Sequence, residues 1–299
     1  MELGLYHSCF MDWPLETLYS WMADRDYHYV EIHGGPRYRH ISWNEVALGH
    51  DKAIRTLGER HGIKIVDIMY GGLNFLSPDA GERRSAQEYA KMLLTAAQYL
   101  DIPSISIFTG RNPLLDLDEN LRQLPDALAP ILAIAEKRGV RVALENCPMA
   151  HDWPPQYNIA INPAIWREIF AAIPSDVLGL NFDPSHLVWQ GIDYVHAVNA
   201  FKDRIVLAQA KDSEILPHVQ REAGILDAQF WRHRIPGQGD VDWNRFMAAL
   251  VDSGYQGPLV IEHEDPFYEG SVEAVQAGLD LTRAHLRKFS AMTRRKGAS

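Results

Sequence analysis

Three carboxylates stand directly after short apolar runs of the kind that form buried strands, on three of the last four such runs. They are Glu145, Asp183 and Glu262. A carboxylate in such a place is costly unless it is paired or binds a cation. If the three strands end at one place, their carboxylates repel one another, and a divalent cation resolves that repulsion. An oxygen-rich ligand set suits Mn²⁺, Mg²⁺ or Co²⁺ better than zinc, which favours thiolates. We therefore predict one divalent metal ion, with Mn²⁺ expected first and Mg²⁺ or Co²⁺ as alternatives.

Polar side chains at the ends of other runs predict the walls of a substrate pocket. His7 follows the first run and Tyr70 the third, and we expect both to line the pocket and bind substrate. His186 comes three residues after Asp183, ahead of a helical segment, and is expected to contact substrate as well. These residues predict a pocket whose walls can hydrogen-bond a polar small molecule.

The seventh apolar run leads into Lys211 and Asp212, which either belong to the site or form an ordinary ion pair in a loop. A long insert, 213–240, follows them and is expected to cover the site. Within this insert, Arg234 is a candidate for binding substrate oxygens. Lys211 and Arg234 are therefore the two predicted substrate-binding cations.

The elements that must position these residues alternate regularly along the chain. Short apolar runs predict eight strands, at 3–6, 29–32, 63–69, 102–108, 140–144, 178–182, 205–208 and 258–261. Segments with helical spacing alternate with them, at 14–23, 43–61, 86–99, 118–137, 163–171, 192–201, 243–252 and 271–289. Near-continuous apolar strands alternating with helices indicate a parallel sheet covered on both faces, and eight such strands close a barrel without an edge. We therefore predict an α/β fold, a single-domain (β/α)8 TIM barrel.

The alternative arrangement is an open, doubly wound sheet. Such a sheet normally carries a Gly-rich phosphate-binding turn after its first strand. The chain instead has Tyr-His-Ser-Cys-Phe at 6–10. In a barrel, chemistry takes place where strands end and the following loops begin. The polar residues described above stand at those junctions, which favours the barrel.

The composition limits the class of protein. A chain of 299 residues is compatible with one domain over 1–299, with a tail from about 290 that is expected to be flexible. A formal net charge of -10 argues against a nucleic-acid partner. Two cysteines and no long apolar stretch predict a reducing compartment and no membrane partner, hence a cytoplasmic protein. A homo-oligomer is expected by analogy with other barrels.

Several motifs, taken in order, are typical of one superfamily. They are Leu-Glu-Asn at 144–146, Asn-Phe-Asp-Pro-Ser-His at 181–186, Ala-Lys-Asp at 210–212, Pro-Gly-Gln-Gly-Asp-Val-Asp-Trp at 236–243 and Ile-Glu-His-Glu-Asp at 261–265. With them the chain resembles the sugar phosphate isomerase/epimerase superfamily, the xylose isomerase-like barrels, over nearly its whole length. The motifs specify the superfamily and not a substrate.

In the epimerase branch, the resemblance implies four metal ligands at strand ends: a Glu, an Asp, a His and a second Glu. These positions fall on Glu145, Asp183, Gln209 and Glu262, and a substrate-binding His falls on His186. Gln209 departs from the pattern, which has His there. A Gln carbonyl oxygen can coordinate a hard cation, so Gln209 is a candidate fourth ligand. In the alternative, Gln209 does not contact the ion, and water or substrate occupies the fourth position. The change favours Mn²⁺ or Mg²⁺ over zinc.

The reaction predicted on this basis is proton abstraction next to the carbonyl of a keto-sugar or related polyol. The metal would act as a Lewis acid and stabilise the enediolate. Glu145 and Glu262 would exchange the proton as base and acid. Return of the proton to the opposite face of the same carbon epimerises the sugar, and return to the neighbouring carbon isomerises it.

Other functions share parts of this site. The same enediolate can expel a β-substituent, which gives a dehydratase, another lyase, or a deglycosidase acting on a keto-glycoside. An endonuclease IV-like phosphodiesterase would need a His-rich zinc cluster and a DNA-binding surface, and both Gln209 and the net charge argue against it. A non-catalytic sugar-binding barrel would need the metal site to be lost, although all three carboxylates are present.

Overall fold

The computed structural model describes residues 1–149, 155–289, 291 and 292. Its strands are β1 (Leu3–Tyr6), β2 (Tyr29–His33), β3 (Lys64–Tyr70), β4 (Ser104–Ile107), β5 (Arg141–Glu145), β6 (Leu178–Phe182), β7 (Ile205–Ala210), β8 (Asp212–Ile215), β9 (Trp231–Arg234) and β10 (Leu259–Ile261). All but β8 and β9 pair in parallel and close a barrel in the order β1-β10-β7-β6-β5-β4-β3-β2. The predicted (β/α)8 barrel and its eight strands are confirmed. The tail expected to be flexible begins at about 290, and of it 290 and 293–299 lie outside the described residues.

The helices surround the barrel. They are α1 (Leu15–Ala23), α2 (Trp43–Ala47), α3 (Lys52–His61), α4 (Ala80–Tyr99), α5 (Leu117–Arg138), α6 (Pro163–Ala172), α7 (Ser185–Val188), α8 (Tyr194–Ala200), α9 (Pro217–Ala223), α10 (Trp243–Ser253) and α11 (Val272–Leu286). Local chemistry sets their ends. The Asp116 side chain accepts from the Glu119 amide at the start of α5, and Gly139 ends that helix with φ at 66°. Among the described residues, no helix is both long and apolar enough to cross a membrane.

The structure divides one predicted helix in two. The apolar spacing predicted a single helix over 43–61, but α2 ends at Ala47 and α3 begins at Lys52. Gly49 lies between them with φ at 91°, a conformation that an α-helix does not contain. The turn at Gly49 therefore interrupts the helix while leaving Val46 and Leu57 on the core side.

Asp212 anchors the insert between the seventh and eighth barrel strands. Its buried carboxylate accepts hydrogen bonds from the Ser213, Gly237 and Val241 amides at 2.9–3.0 Å and from Trp243 Nε1 at 2.8 Å. The antiparallel hairpin of β8 and β9 grows out of this anchor. Asp212 is therefore a structural residue and not the ion-pair partner of Lys211, which settles an alternative that the sequence left open.

Candidate active site at the carboxyl ends of the strands

The three carboxylates singled out in the sequence meet at one end of the barrel. Glu145 ends β5, while Asp183 and Glu262 directly follow β6 and β10. One oxygen atom of each carboxylate lies within 4.8 Å of one oxygen atom of the other two. The three residues are at most 6% exposed. The parallel barrel therefore places all three at its mouth, because the carboxyl ends of its strands share that end.

This arrangement fits a divalent cation. Cation–oxygen distances of 2.0–2.6 Å allow two ligands of one ion to lie up to about 5 Å apart, and the spacing of the three carboxylates is within that limit. Gln209 offers a further oxygen, because its buried Oε1 atom accepts no hydrogen bond from the described residues. Glu145, Asp183 and Glu262 are thus able to hold one ion, and Gln209 stays a predicted fourth ligand.

The Gln209 amide is oriented by a buried polar network inside the barrel. Its Nε2 atom donates to Glu31 Oε2 at 3.0 Å, and Asn181 Nδ2 donates to Glu31 Oε1 at 2.9 Å. Burial and the neighbouring Asp67 raise the pKa of Glu31 well above its usual range. Because Nε2 donates to Glu31, the carbonyl oxygen of Gln209 is the end of the amide that faces away from Glu31. The apolar runs predicted the strands but not this network, although Glu31 and Asn181 interrupt two of those runs.

Lys211 is embedded among the carboxylates. Its ammonium nitrogen lies 2.8 Å from Glu262 Oε2, 3.3 Å from Asp183 Oδ2 and 3.1 Å from Glu264 Oε2. Burial alone would lower the pKa of Lys211, but Glu262, Glu264 and Asp183 outweigh it and raise the pKa well above its usual range. Lys211 is therefore a positive charge inside the site.

Burial dominates the acid–base properties of the carboxylates. It raises the pKa of Glu262 to about 7, although Lys211 opposes the shift. It also raises the pKa of Glu145 well above its usual range, and the nearby Glu262 adds to that effect. Raised pKa values allow both residues to hold a proton near neutral pH, as general acid–base catalysis requires.

Glu145 and Glu262 open onto a cavity of about 980 Å³. Of the predicted site residues, Tyr70, Glu145, Lys211 and Glu262 line it. The residues that also line it but had no predicted role include Arg37, Arg39, Phe108, Cys147, Tyr157 and Glu264. The cavity therefore has acidic and basic groups at its base and rim and an aromatic wall between them.

His7 and His186 are buried close to the cavity but do not line it. His7 is fully buried and its Nδ1 atom accepts from the His33 amide at 3.1 Å. His186 is 2% exposed, and its Nε2 atom lies 3.2 Å from Asp183 Oδ2. Substrate binding by these two residues stays a prediction. In the structure His7 supports β2, and His186 contacts Asp183 of the three-carboxylate group.

Arg234 forms ion pairs with two acidic side chains. Its guanidinium lies 2.6 Å from Glu214 Oε2 and 3.0 Å from Asp265 Oδ2, and it is not among the residues that line the cavity. It also lies over the ring of Phe267. These contacts join the hairpin to the loop after β10, and substrate binding by Arg234 stays a prediction. Glu214 pairs with Arg234 across the hairpin and Asp265 reaches it from another strand end, and the sequence pattern reveals neither contact.

A second group of possible ligands overlaps the first. Glu145, Cys147 and His186 also offer atoms within 4.8 Å of one another. Thiolate and imidazole favour zinc. However, burial raises the pKa of the Cys147 thiol well above its usual range, whereas the lowered pKa of His186 keeps its imidazole in the neutral form that can bind a metal. The buried thiol resists ionisation, so the three-carboxylate group is the better site for a cation.

Replacing Gln209 tests whether its amide oxygen binds the ion. We expect Gln209→Leu to weaken Mn²⁺ binding on the order of tenfold. Replacing even a residue that only hydrogen-bonds to a metal ligand lowers metal affinity by that factor. Gln209→His should keep the ion and shift preference towards zinc. Titration calorimetry with Mn²⁺ measures both. Asn181→Leu is the matched control, because it also removes a hydrogen bond to Glu31 but no candidate ligand. Unchanged affinity in Gln209→Leu would show that Gln209 is a bystander.

Metal affinity should depend on pH. A carboxylate must lose its proton to bind a cation, and the pKa of Glu262 is raised to about 7. Below that pH the ion has to displace a proton, so Mn²⁺ affinity should rise by on the order of tenfold per pH unit as the pH approaches 7. Calorimetry in two buffers of different ionisation enthalpy counts the protons released. An affinity that stays constant between pH 5.5 and 7 contradicts this prediction.

The structure is a closed (β/α)8 barrel with acidic residues at the carboxyl ends of its strands. Comparison with known protein families places the chain in a class with the same fold. The model of the xylose isomerase-like TIM barrel family matches residues 19–285. The chain therefore belongs to the xylose isomerase-like TIM barrel family, as its motifs had indicated.

Individual relatives match the chain over only part of its length, and the solved structures match it at low sequence identity. An inosose dehydratase of Lacticaseibacillus casei is 34% identical over 99 residues, which are 30% of this chain and 32% of that protein. The match thus spans about a third of the relative's length. A crystal structure of IolI protein with a bound zinc atom has a TM-score of 0.74 at 20% identity, covering 98% of this chain and 100% of that one. The 3-keto-D-glucoside 4-epimerase YcjR of E. coli has a TM-score of 0.72 at 16% identity, covering 96% and 99%. At these identities, the solved structures show the shared fold.

Proposed function

We propose that the chain is a divalent-metal-dependent enzyme that isomerises or epimerises a keto-sugar or related polyol. One observation carries the proposal: Glu145 and Glu262 line one cavity, and with the buried Asp183 they bring oxygen atoms within 4.8 Å of one another. Two carboxylates able to exchange a proton and a group able to hold a cation are the parts that such a reaction needs.

Each residue then has a task that follows from its position. A bound divalent ion would supply Lewis-acid polarisation of the substrate carbonyl. Glu145 removes the proton from the carbon next to that carbonyl, and Glu262 delivers a proton to the product. The assignment of base and acid reverses for the reverse reaction. Lys211 and Tyr70, which line the same cavity, bind hydroxyl or carbonyl oxygens of the sugar.

Exchange with solvent deuterium tests this proposal. Purified protein is incubated in D₂O with a panel of keto-sugars and keto-cyclitols, with Mn²⁺ or with a chelator. We expect deuterium at the carbon next to the carbonyl of at least one substrate, only when Mn²⁺ is present. A protein that binds Mn²⁺ but catalyses no exchange on any member of the panel would count against proton abstraction.

Elimination is the second candidate function. The Lacticaseibacillus casei relative, an inosose dehydratase at 34% identity, favours it. The same proton abstraction would be followed by loss of a β-hydroxyl as water, or of an aglycone from a keto-glycoside. Mass spectrometry separates the two outcomes. An isomerase or epimerase leaves the mass of its substrate unchanged, a dehydratase makes a product lighter by one water, and a deglycosidase releases the aglycone.

A further inference from the structure

The ammonium group of Lys211 is in contact with the atoms that would bind the metal ion. It lies 2.8 Å from Glu262 Oε2 and 3.3 Å from Asp183 Oδ2, and both residues belong to the three-carboxylate group. Its side chain is 2% exposed, so water does not screen it. Lys211 thus contacts two of the three carboxylates, and its single positive charge offsets one of their negative charges.

A divalent ion and this ammonium would compete for oxygen atoms of those carboxylates. Two positive charges in contact with the same buried oxygens would lie only a few ångströms apart, where repulsion is strong because the surroundings have a low dielectric constant. The ammonium therefore has to leave any oxygen atom that the ion takes. A buried cation that loses its partners is costly, so the ammonium needs another acceptor.

Glu264 is the acceptor that remains. Its Oε2 atom lies 3.1 Å from Lys211 Nζ, and it is not a member of the three-carboxylate group. Its side chain is 45% exposed and lines the cavity, so it has room to follow the ammonium. His233, whose Nε2 atom lies 3.6 Å from Glu264 Oε2, is a further neighbour of this carboxylate.

We propose that Lys211 is a built-in competitor of the metal ion: it contacts Asp183, Glu262 and Glu264 together, and it keeps only Glu264 when the ion takes the other two. The inference rests on the proposed metal-dependent function and deepens it, because it names the residue that sets the affinity for the ion. It also couples two events: binding of the ion turns the ammonium towards the cavity, where substrate oxygens would meet it.

Two substitutions with opposite effects test the proposal by calorimetry with Mn²⁺. Lys211→Met removes the competitor and is expected to tighten binding by about tenfold, within the usual range of coupling between two bound groups. Glu264→Gln removes the alternative acceptor and is expected to weaken binding by a similar factor. In the double variant, the effect of Glu264→Gln should be much smaller. Loss of neighbouring charges alone would instead give effects that add.

The control and a second measurement keep the test decisive. Lys202→Met changes the net charge equally at an exposed position and should leave Mn²⁺ affinity unchanged. Without metal, Lys211→Met should unfold at a lower temperature than wild type, and Mn²⁺ should raise that temperature more in the variant. Equal or weaker Mn²⁺ binding by Lys211→Met, or additive effects in the double variant, overturns the competitor. If neither wild type nor Lys211→Met binds Mn²⁺, the metal-dependent function itself is overturned. If Lys211→Met binds Mn²⁺ and wild type does not, Lys211 competes strongly enough to exclude the ion, which supports the proposal.

Discussion

Replacing either Glu145 or Glu262 by Gln is expected to cut turnover by about 10²-fold or more, the scale of general acid–base catalysis. Gln fills nearly the same space and keeps an oxygen that can face the ion, so the barrel should stay folded, and turnover is compared at a Mn²⁺ concentration that saturates each variant. Gln cannot take up or release a proton near neutral pH. Both carboxylates are buried and have raised pKa values, which suits proton exchange, and both line the cavity.

The two variants are compared on the substrate found by deuterium exchange, with metal content measured on the same samples. Glu168→Gln, on the exposed face of α6, is the matched control and should keep wild-type turnover. The two carboxylates exchange roles between the forward and reverse reactions. Deuterium exchange is therefore measured for each variant in both directions. Near wild-type turnover in a variant that keeps its metal removes that residue from the mechanism.

The fold could be predicted from the sequence because its signals are local. An apolar run predicts a buried strand, and a glycine such as Gly139 or Gly254 marks where the preceding helix ends; both glycines have positive φ. The interruption between α2 and α3 was missed because Val46 and Leu57 keep helical spacing across it, and only the backbone conformation of Gly49 separates the helices.

The candidate site could be predicted only in part, for a related reason. In a parallel barrel, the end of a strand fixes where a residue lies, so Glu145, Asp183 and Glu262 could be grouped from their places after apolar runs. The partners of Lys211 and Arg234 could not. Lys211 meets carboxylates from two other strand ends, whereas Arg234 pairs across a hairpin whose register the sequence does not specify. Contacts between distant segments decide which cation faces the cavity.

Removal of the Asp183 carboxylate is expected to have the largest effect on metal binding. Asp183→Asn should weaken Mn²⁺ binding by at least about 100-fold, since even residues behind the ligands are worth 10–100-fold. Asp183 Oδ1 accepts the Ser185 amide at 2.8 Å, a bond that an Asn oxygen can keep, so the loop should stay in place. The amide nitrogen would then stand where Oδ2 was, and it presents hydrogens and not lone pairs to a cation.

Calorimetry with Mn²⁺ and with Zn²⁺ gives this prediction its sharpest form. Asp12→Asn, at an exposed position on the cavity, is the matched control and should leave both affinities unchanged. Asp183 belongs to the three-carboxylate group but not to the overlapping group of Glu145, Cys147 and His186. A variant that binds Mn²⁺ as tightly as wild type would therefore contradict the three-carboxylate site. If such a variant also preferred Zn²⁺, the ion would belong to the second group, because thiolate and imidazole ligands favour zinc.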